Sequence, residues 1–281
     1  MPETSNADIP AVRASVKYII DPGQDRLIYV PSEAGHDNSK WAGQYREHMV
    51  DIHDARAASG PEGGFDLDRE GFTLWPQETA VTDFYDDSQI SETYEPEIEA
   101  LLKQATGAAR VHIFDHTRRA ASKTLREDRV VREPAGVIHN DYTDASAAKR
   151  VRDLFPADEA ADLLSRRFAI INVWRSSNGA PIETAPLALC DAGSVDDGDL
   201  ITVERHSKDR IGEVLQVIEN PKHRWFYFPR LKPDEALLLK TYDSATDGRA
   251  KFSVHTAFED PTVPADAPPR ESIETRAFLF F

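Results

Sequence analysis

The sequence predicts a mainly β fold, a double-sheet barrel with flanking α-helices. From Phe168 onward, apolar stretches of strand length alternate with turn clusters such as Asp196-Asp197-Gly198-Asp199 and Thr246-Asp247-Gly248-Arg249. No helix of crossover length separates these strands, which favours antiparallel pairing over a parallel sheet. The 281 residues, 40% hydrophobic and 29% charged, can bury one sizeable core. The expected layout is a single domain over residues 1–281, with an irregular N-terminal arm over 1–93 wrapping helices and barrel over 94–281.

Gly, Pro, Asp and Ser crowd the first ninety residues, and apolar patches at Val16–Ile20 and Gly71–Trp75 allow one or two strands there. The first clear helix runs from Glu95 to Thr106, where Ile98, Leu101 and Leu102 share a face and Gly107 stops the pattern. A strand is expected over Ala109–Phe114, and Gly136–His139 leads into another. Asp144 is placed as the cap of a helix through Phe155, and Pro156 opens a second that ends near Arg167. The remaining strands are expected at Phe168–Trp174, Leu200–Glu204, Glu213–Ile218, Arg224–Phe228, Ala236–Tyr242, Phe252–Phe258 and Ser272–Phe281.

A formal net charge of −16 argues against nucleic acid, whose phosphates are held by clustered Lys and Arg. The single cysteine, Cys190, excludes an intramolecular disulfide and reads as a buried, inert thiol. No run approaches the roughly 18 apolar residues that span a bilayer. Met1–Asp8 has neither the basic start nor the apolar core of a secretory signal, so cytoplasmic is the expected location. Oligomeric state is open, a homodimer included.

Of nine histidines only His139 is followed two residues later by a carboxylate, Asp141. Alternate residues of an extended segment point the same way, so this pair can occupy adjacent positions on one metal. Chance alone gives roughly one or two such pairs in so acidic a chain, and a surface His beside a turn Asp is the ordinary alternative. His255 lies in the apolar stretch Phe252–Phe258, where a hydrogen-bonded core histidine is equally ordinary. If it joins the pair, two His and one carboxylate form a facial triad with open positions for a co-substrate and O₂. Beyond it, Arg270, Ser272 and Arg276 share a strand face by parity, and such an Arg can grip a carboxylate through two parallel hydrogen bonds.

The ordered set His-x-Asp, distal His and Arg-x-Ser resembles the Fe(II)/2-oxoglutarate-dependent dioxygenase superfamily. Within it, His139-Asn140-Asp141-Tyr142, Asn172-Val173-Trp174-Arg175, Tyr242-Asp243-Ser244, His255–Pro261 and Pro269–Arg276 are similar to the microbial hydroxylase/desaturase family, which includes fungal gibberellin desaturase and the cephem-hydroxylase of cephamycin biosynthesis. The resemblance implies a double-stranded β-helix of the jelly-roll or cupin-like kind. It implies Fe(II) on His139, Asp141 and His255, 2-oxoglutarate and O₂ as co-substrates, and Arg270 with Ser272 on the distal carboxylate of 2-oxoglutarate, Arg276 being the other candidate. Tyr142, Trp174, Arg175, Lys240 and Tyr242 are candidate substrate contacts. The interval from His255 to Arg270 is longer than the superfamily usually shows, through a loop, Glu259–Pro269, that holds four prolines. The implied reaction is hydroxylation, desaturation or oxidative cyclisation of a small specialised metabolite or modified amino acid. A cupin-like metal enzyme without 2-oxoglutarate, an isomerase or hydrolase, and a non-catalytic ligand-binding barrel are the alternatives.

Overall fold

The computed structural model describes residues 9–23, 25–36, 38–41, 43–59, 64–208 and 210–281; the Met1–Asp8 stretch read above for a secretory signal lies outside them. Its elements are β1 (Ala11–Ile19), β2 (Ile28–Val30), β3 (Lys40–Trp41), β4 (Tyr45–Asp54), α1 (Ala55–Ala58), β5 (Phe72–Pro76), α2 (Asp87–Gln89), α3 (Glu95–Thr106), β6 (Arg110–Ala120), α4 (Lys123–Arg129), β7 (His139–Asn140), α5 (Asp144–Leu154), α6 (Ala157–Leu164), β8 (Phe168–Ser176), β9 (Leu187–Cys190), β10 (Leu200–Ser207), β11 (Arg210–Val217), β12 (Trp225–Tyr227), β13 (Glu235–Asp243), β14 (His255–Ala257) and β15 (Glu271–Phe280). The strands form two curled sheets, one of ten in the order β1-β4-β12-β9-β14-β7-β11-β10-β2-β3 and one of five in the order β5-β13-β8-β15-β6. This is a double-stranded β-helix.

The central strand β8 shows how the core divides. All nine of its residues are buried, so both faces are covered. Ala169, Ile171 and Val173 point outward onto Ile98, Leu101 and Leu102 of α3, each Val, Leu or Ile side chain contributing about 1.5–3 kcal/mol. Gly107 ends α3 in the left-handed conformation (φ 72°), its N–H donating to the Lys103 carbonyl at 2.9 Å. The alternate residues enter the barrel. Phe168 and Ile170 join Phe278, Phe280 and the apolar faces of α5 and α6 at one end. Trp174 joins Phe72, Leu189 and Leu239 at the other. Between these two apolar plugs Asn172 lies opposite Arg276 of β15, and this polar band holds the site.

Several details differ from the sequence reading. The arm expected to be irregular carries five strands, four of them in the ten-stranded sheet. In β1, residues Val12, Ala14, Val16 and Tyr18 pack with Ile138, Ala188, Cys190 and Val254, and the Lys17 carbonyl accepts from the Ile138 N–H at 3.2 Å. The arm therefore backs the segments that carry His139 and His255. It also adds two parallel pairings, β2 with β10 and β4 with β12, to otherwise antiparallel sheets. The cap of α5 is Thr143, not Asp144: Thr143 Oγ1 accepts from the Ser146 N–H at 3.0 Å while Ser146 Oγ accepts from the Thr143 N–H at 2.9 Å. No helix among the described residues is long and apolar enough to cross a membrane.

Candidate metal and co-substrate site

His139 and His255 are register partners across β7 and β14, which brings their rings to a centroid distance of 4.5 Å. Asp141 follows at the end of β7, with Oδ1 3.6 Å from His139 Nε2. One ligand atom from each of the three residues lies within 4.8 Å of the others.

The surrounding hydrogen bonds orient the three donors. His139 Nδ1 donates to the Val137 carbonyl and His255 Nδ1 to the Ser253 carbonyl, both at 2.8 Å. This fixes Nδ1 as the donor in each ring and leaves Nε2 as the atom to offer a metal. Asp141 Oδ2 accepts from Asn172 Nδ2 at 2.7 Å and from Arg276 Nε at 3.0 Å, which leaves Oδ1 as the ligand atom. Asn140 is fully buried and faces away from the metal ligands: its amide donates to the Tyr142 and Thr241 carbonyls and its oxygen accepts from the Ser253 N–H. It couples the turn carrying Asp141 to the segment carrying His255.

The electrostatics suit a cation. Burial, followed by the charge of His255, lowers the His139 pKa to about 3, so its ring is neutral. Burial pushes Asp141 upward, but Arg276, His139 and His255 outweigh it and hold the carboxyl far below the ordinary range. The donor set, two imidazoles and one carboxylate, fits a divalent first-row metal with open positions.

Arg270 and Arg276 have opposite surroundings. Arg276 is engaged by acids: its Nε meets Asp141, its Nη1 meets Asp115 at 2.6 Å, and its Nη2 meets Glu274. Burial pulls its pKa down, but these three carboxylates raise it well above its ordinary value. Arg270, 2% exposed, has no carboxylate partner among the described residues. Its Nε donates to Ser272 Oγ at 2.9 Å, its Nη1 to the Ala185 carbonyl at 2.7 Å, and its guanidinium lies 4.8 Å from the Trp174 ring. Burial and the charge of Arg119 bring its pKa down to about 9. Thr184 Oγ1 takes the Arg270 N–H and donates to the Pro268 carbonyl, so the long proline-rich loop is tied down where β15 begins. Trp174 Nε1 is buried without a partner among the described residues.

The weaker candidates separate. Tyr142 lines a cavity of about 1310 Å³ together with His139, Asp141 and Arg276. Trp174 faces the barrel beside Arg270. Arg175 points the other way, its guanidinium donating to the Gln77 and Pro233 carbonyls and lying 5.8 Å from the Phe84 ring; strand alternation puts it on the face opposite Trp174. Lys240 pairs with Asp68 and Asp243 outside the cavity, and Tyr242 donates to Asp144 at 3.1 Å amid Phe168 and Phe252. Neither lines the cavity. Asn172, Asn140 and Asp115 escaped the sequence reading as supporting residues, since a polar residue inside an apolar strand was the only signal for Asn172.

Known proteins share this arrangement of strands. Residues 16–280 match the family described as Oxidoreductase/YMDC permease-like domain. The hydroxylase/desaturase efuI of Hormonema carpetanum is 35% identical over 85% of this chain and 85% of its own. The Fe(II)/2-oxoglutarate-dependent dioxygenase nvfI of Aspergillus novofumigatus is 34% identical over 83% of each chain. A solved structure of the iron and alpha-ketoglutarate-dependent endoperoxidase NvfI superposes with a TM-score of 0.80 at 29% identity, covering 96% of this chain and 98% of that one. The chain belongs to the fungal hydroxylase/desaturase family of Fe(II)/2-oxoglutarate-dependent oxygenases.

Proposed function

We propose that this oxygenase holds Fe(II) on His139 Nε2, Asp141 Oδ1 and His255 Nε2, anchors the distal carboxylate of 2-oxoglutarate on Arg270, and oxidises a small specialised metabolite in the cavity bordered by Tyr142. The observation that carries this reading is the pairing of a pre-oriented three-donor set with a buried guanidinium that lacks a carboxylate. Fe(II) with 2-oxoglutarate and O₂ supplies the oxidising power for C–H cleavage.

The chain's own residues supply position and enclosure. The two backbone carbonyls fix the imidazole tautomers, and Asn172 with Arg276 prevents Asp141 from turning away. Trp174 holds the Arg270 guanidinium flat and offers Nε1–H as a further donor, while Ser272 sets the guanidinium's rotation. Trp174 is two residues from Asn172 on the same strand face, roughly 7 Å along it, a separation suited to a five-carbon diacid lying between the Asp141 end and Arg270. The apolar plugs close both ends of the barrel, leaving the cavity beside Tyr142 as the open side of this band.

The test is conversion of 2-oxoglutarate to succinate. The purified chain with Fe(II) in air is expected to form succinate slowly without substrate, and to stop when iron is withheld. Equal turnover in His139→Ala/His255→Ala protein would remove the assigned ligands from the reaction.

A further inference from the structure

The cavity above the metal ligands carries nine Lys and Arg side chains against seven Asp and Glu, in a chain of formal net charge −16. Three of its guanidiniums arrive from separate parts of the fold. Arg119 comes from β6, Arg132 follows α4 and is bridged to Arg119, and Arg205 of β10 lies opposite Tyr29 of β2. Among the described residues, no ion pair joins any of the three to a carboxylate.

The acids nearby form no ion pair with the three. Asp115 binds Arg276, and Glu133 accepts from Ser32 at 2.7 Å through one oxygen, the other having no hydrogen-bond partner among the described residues. Arg119 donates to the backbone carbonyl of Glu133 rather than to its side chain. Burial first, then the charge of Arg119, draws the Arg132 pKa below its ordinary value; burial, then Arg276 and Arg132, does the same for Arg205. Arg119, Arg132 and Arg205 line the same cavity as His139 and Asp141, so the cluster overlooks the metal ligands.

Like charges gathered without a counter-anion destabilise the empty fold, and an anion that binds between them offsets this through charge-assisted hydrogen bonds. 2-Oxoglutarate already has a buried cation of its own in Arg270. We infer that Arg119, Arg132 and Arg205 form a subsite for a carboxylate of the organic substrate, so that this oxygenase acts on an acid held by its charged end with a C–H bond turned toward the metal. The inference rests on the function proposed above and names its substrate class.

Benzoate and its neutral counterpart benzamide serve as probes, titrated by ligand-observed NMR into protein loaded with Zn(II) and N-oxalylglycine, which fills the 2-oxoglutarate position. Benzoate is expected to bind about tenfold more tightly than benzamide. Arg132→Gln with Arg205→Gln should erase that preference while Arg110→Gln, outside the cavity and paired with Glu159, keeps it; each single substitution carries the test should the pair fail to fold. Absence of benzoate binding to the parent protein, a preference that survives these substitutions, or one lost equally with Arg110→Gln would overturn the inference. The visible charge-transfer absorption of the parent protein with Fe(II) and 2-oxoglutarate reports the underlying reading separately: its absence sinks that reading whatever benzoate does.

Discussion

Replacing Arg270 and replacing Arg276 should have opposite consequences, although both face one barrel interior, Arg270 buried and Arg276 mostly so. Arg270 has only Ser272, the Ala185 carbonyl and the Trp174 face around it. If it receives the distal carboxylate, Arg270→Met removes two charge-assisted hydrogen bonds of about 2 kcal/mol each, and 2-oxoglutarate binding weakens roughly 10³-fold. The ligand-free protein should lose little, because removing a buried charge that lacks an ion-paired carboxylate offsets the loss of the Ser272 and Ala185 contacts. Arg276→Met instead strands Asp141, Asp115 and Glu274. Breaking such a network by removing one partner costs about 3–5 kcal/mol of stability, and losing the Asp141 contact weakens iron binding roughly 10- to 100-fold. Calorimetric titration of Mn(II) and then 2-oxoglutarate into the protein, alongside urea denaturation of the apoprotein, reads all four quantities. Arg270→Met protein that keeps its 2-oxoglutarate affinity, while Arg276→Met loses it with metal binding intact, would refute the assignment.

Other consequences follow from the same contacts. Asn172→Ala deletes the 2.7 Å bond to Asp141 and should raise the Fe(II) dissociation constant roughly 10- to 100-fold with little change in melting temperature; an unchanged anaerobic iron titration would count against that role. Without metal the protein should lose stability as pH falls from 7 to 5. The unfolded His139 imidazole takes a proton near 6.5 and the folded one only near 3, so the unfolded state binds more protons in that window. At pH 5 the cost is about 2 kcal/mol from His139, with depressed Asp141 acting in the same direction at lower pH. Melting curves of the apoprotein should slope accordingly, and a His139→Gln variant that retains the full slope would contradict this. Arg175→Met should lose about 2 kcal/mol in urea through the Gln77 and Pro233 carbonyls and leave 2-oxoglutarate affinity unchanged; a weakened affinity would return Arg175 to the site.

Much of the barrel was legible because its strands are apolar and punctuated: α3 runs over the predicted residues, Glu95–Thr106, and β8, β13 and β15 fall where apolar runs lie between turns. The N-terminal strands were not. β4, Tyr-Arg-Glu-His-Met-Val-Asp-Ile-His-Asp, buries only Ile52 fully and is held by β1 and β12 rather than by a periodic apolar face. The roles of Arg270 and Arg276 also lay beyond the sequence, since parity puts both on one face and only the positions of Asp115, Asp141 and Glu274 decide which guanidinium is already neutralised. Trp174-Arg175 shows the same limit: strand alternation requires that the two face opposite ways, but which one enters the barrel depends on α3 covering the other side.

If His139, Asp141 and His255 form one iron site that accepts 2-oxoglutarate, anaerobic addition of Fe(II) and then 2-oxoglutarate to the apoprotein produces the weak visible charge-transfer absorption of the chelate. The band should saturate at one iron per chain and vanish in His255→Ala. A folded protein that shows no band, or a band that persists in His255→Ala, would contradict this assignment.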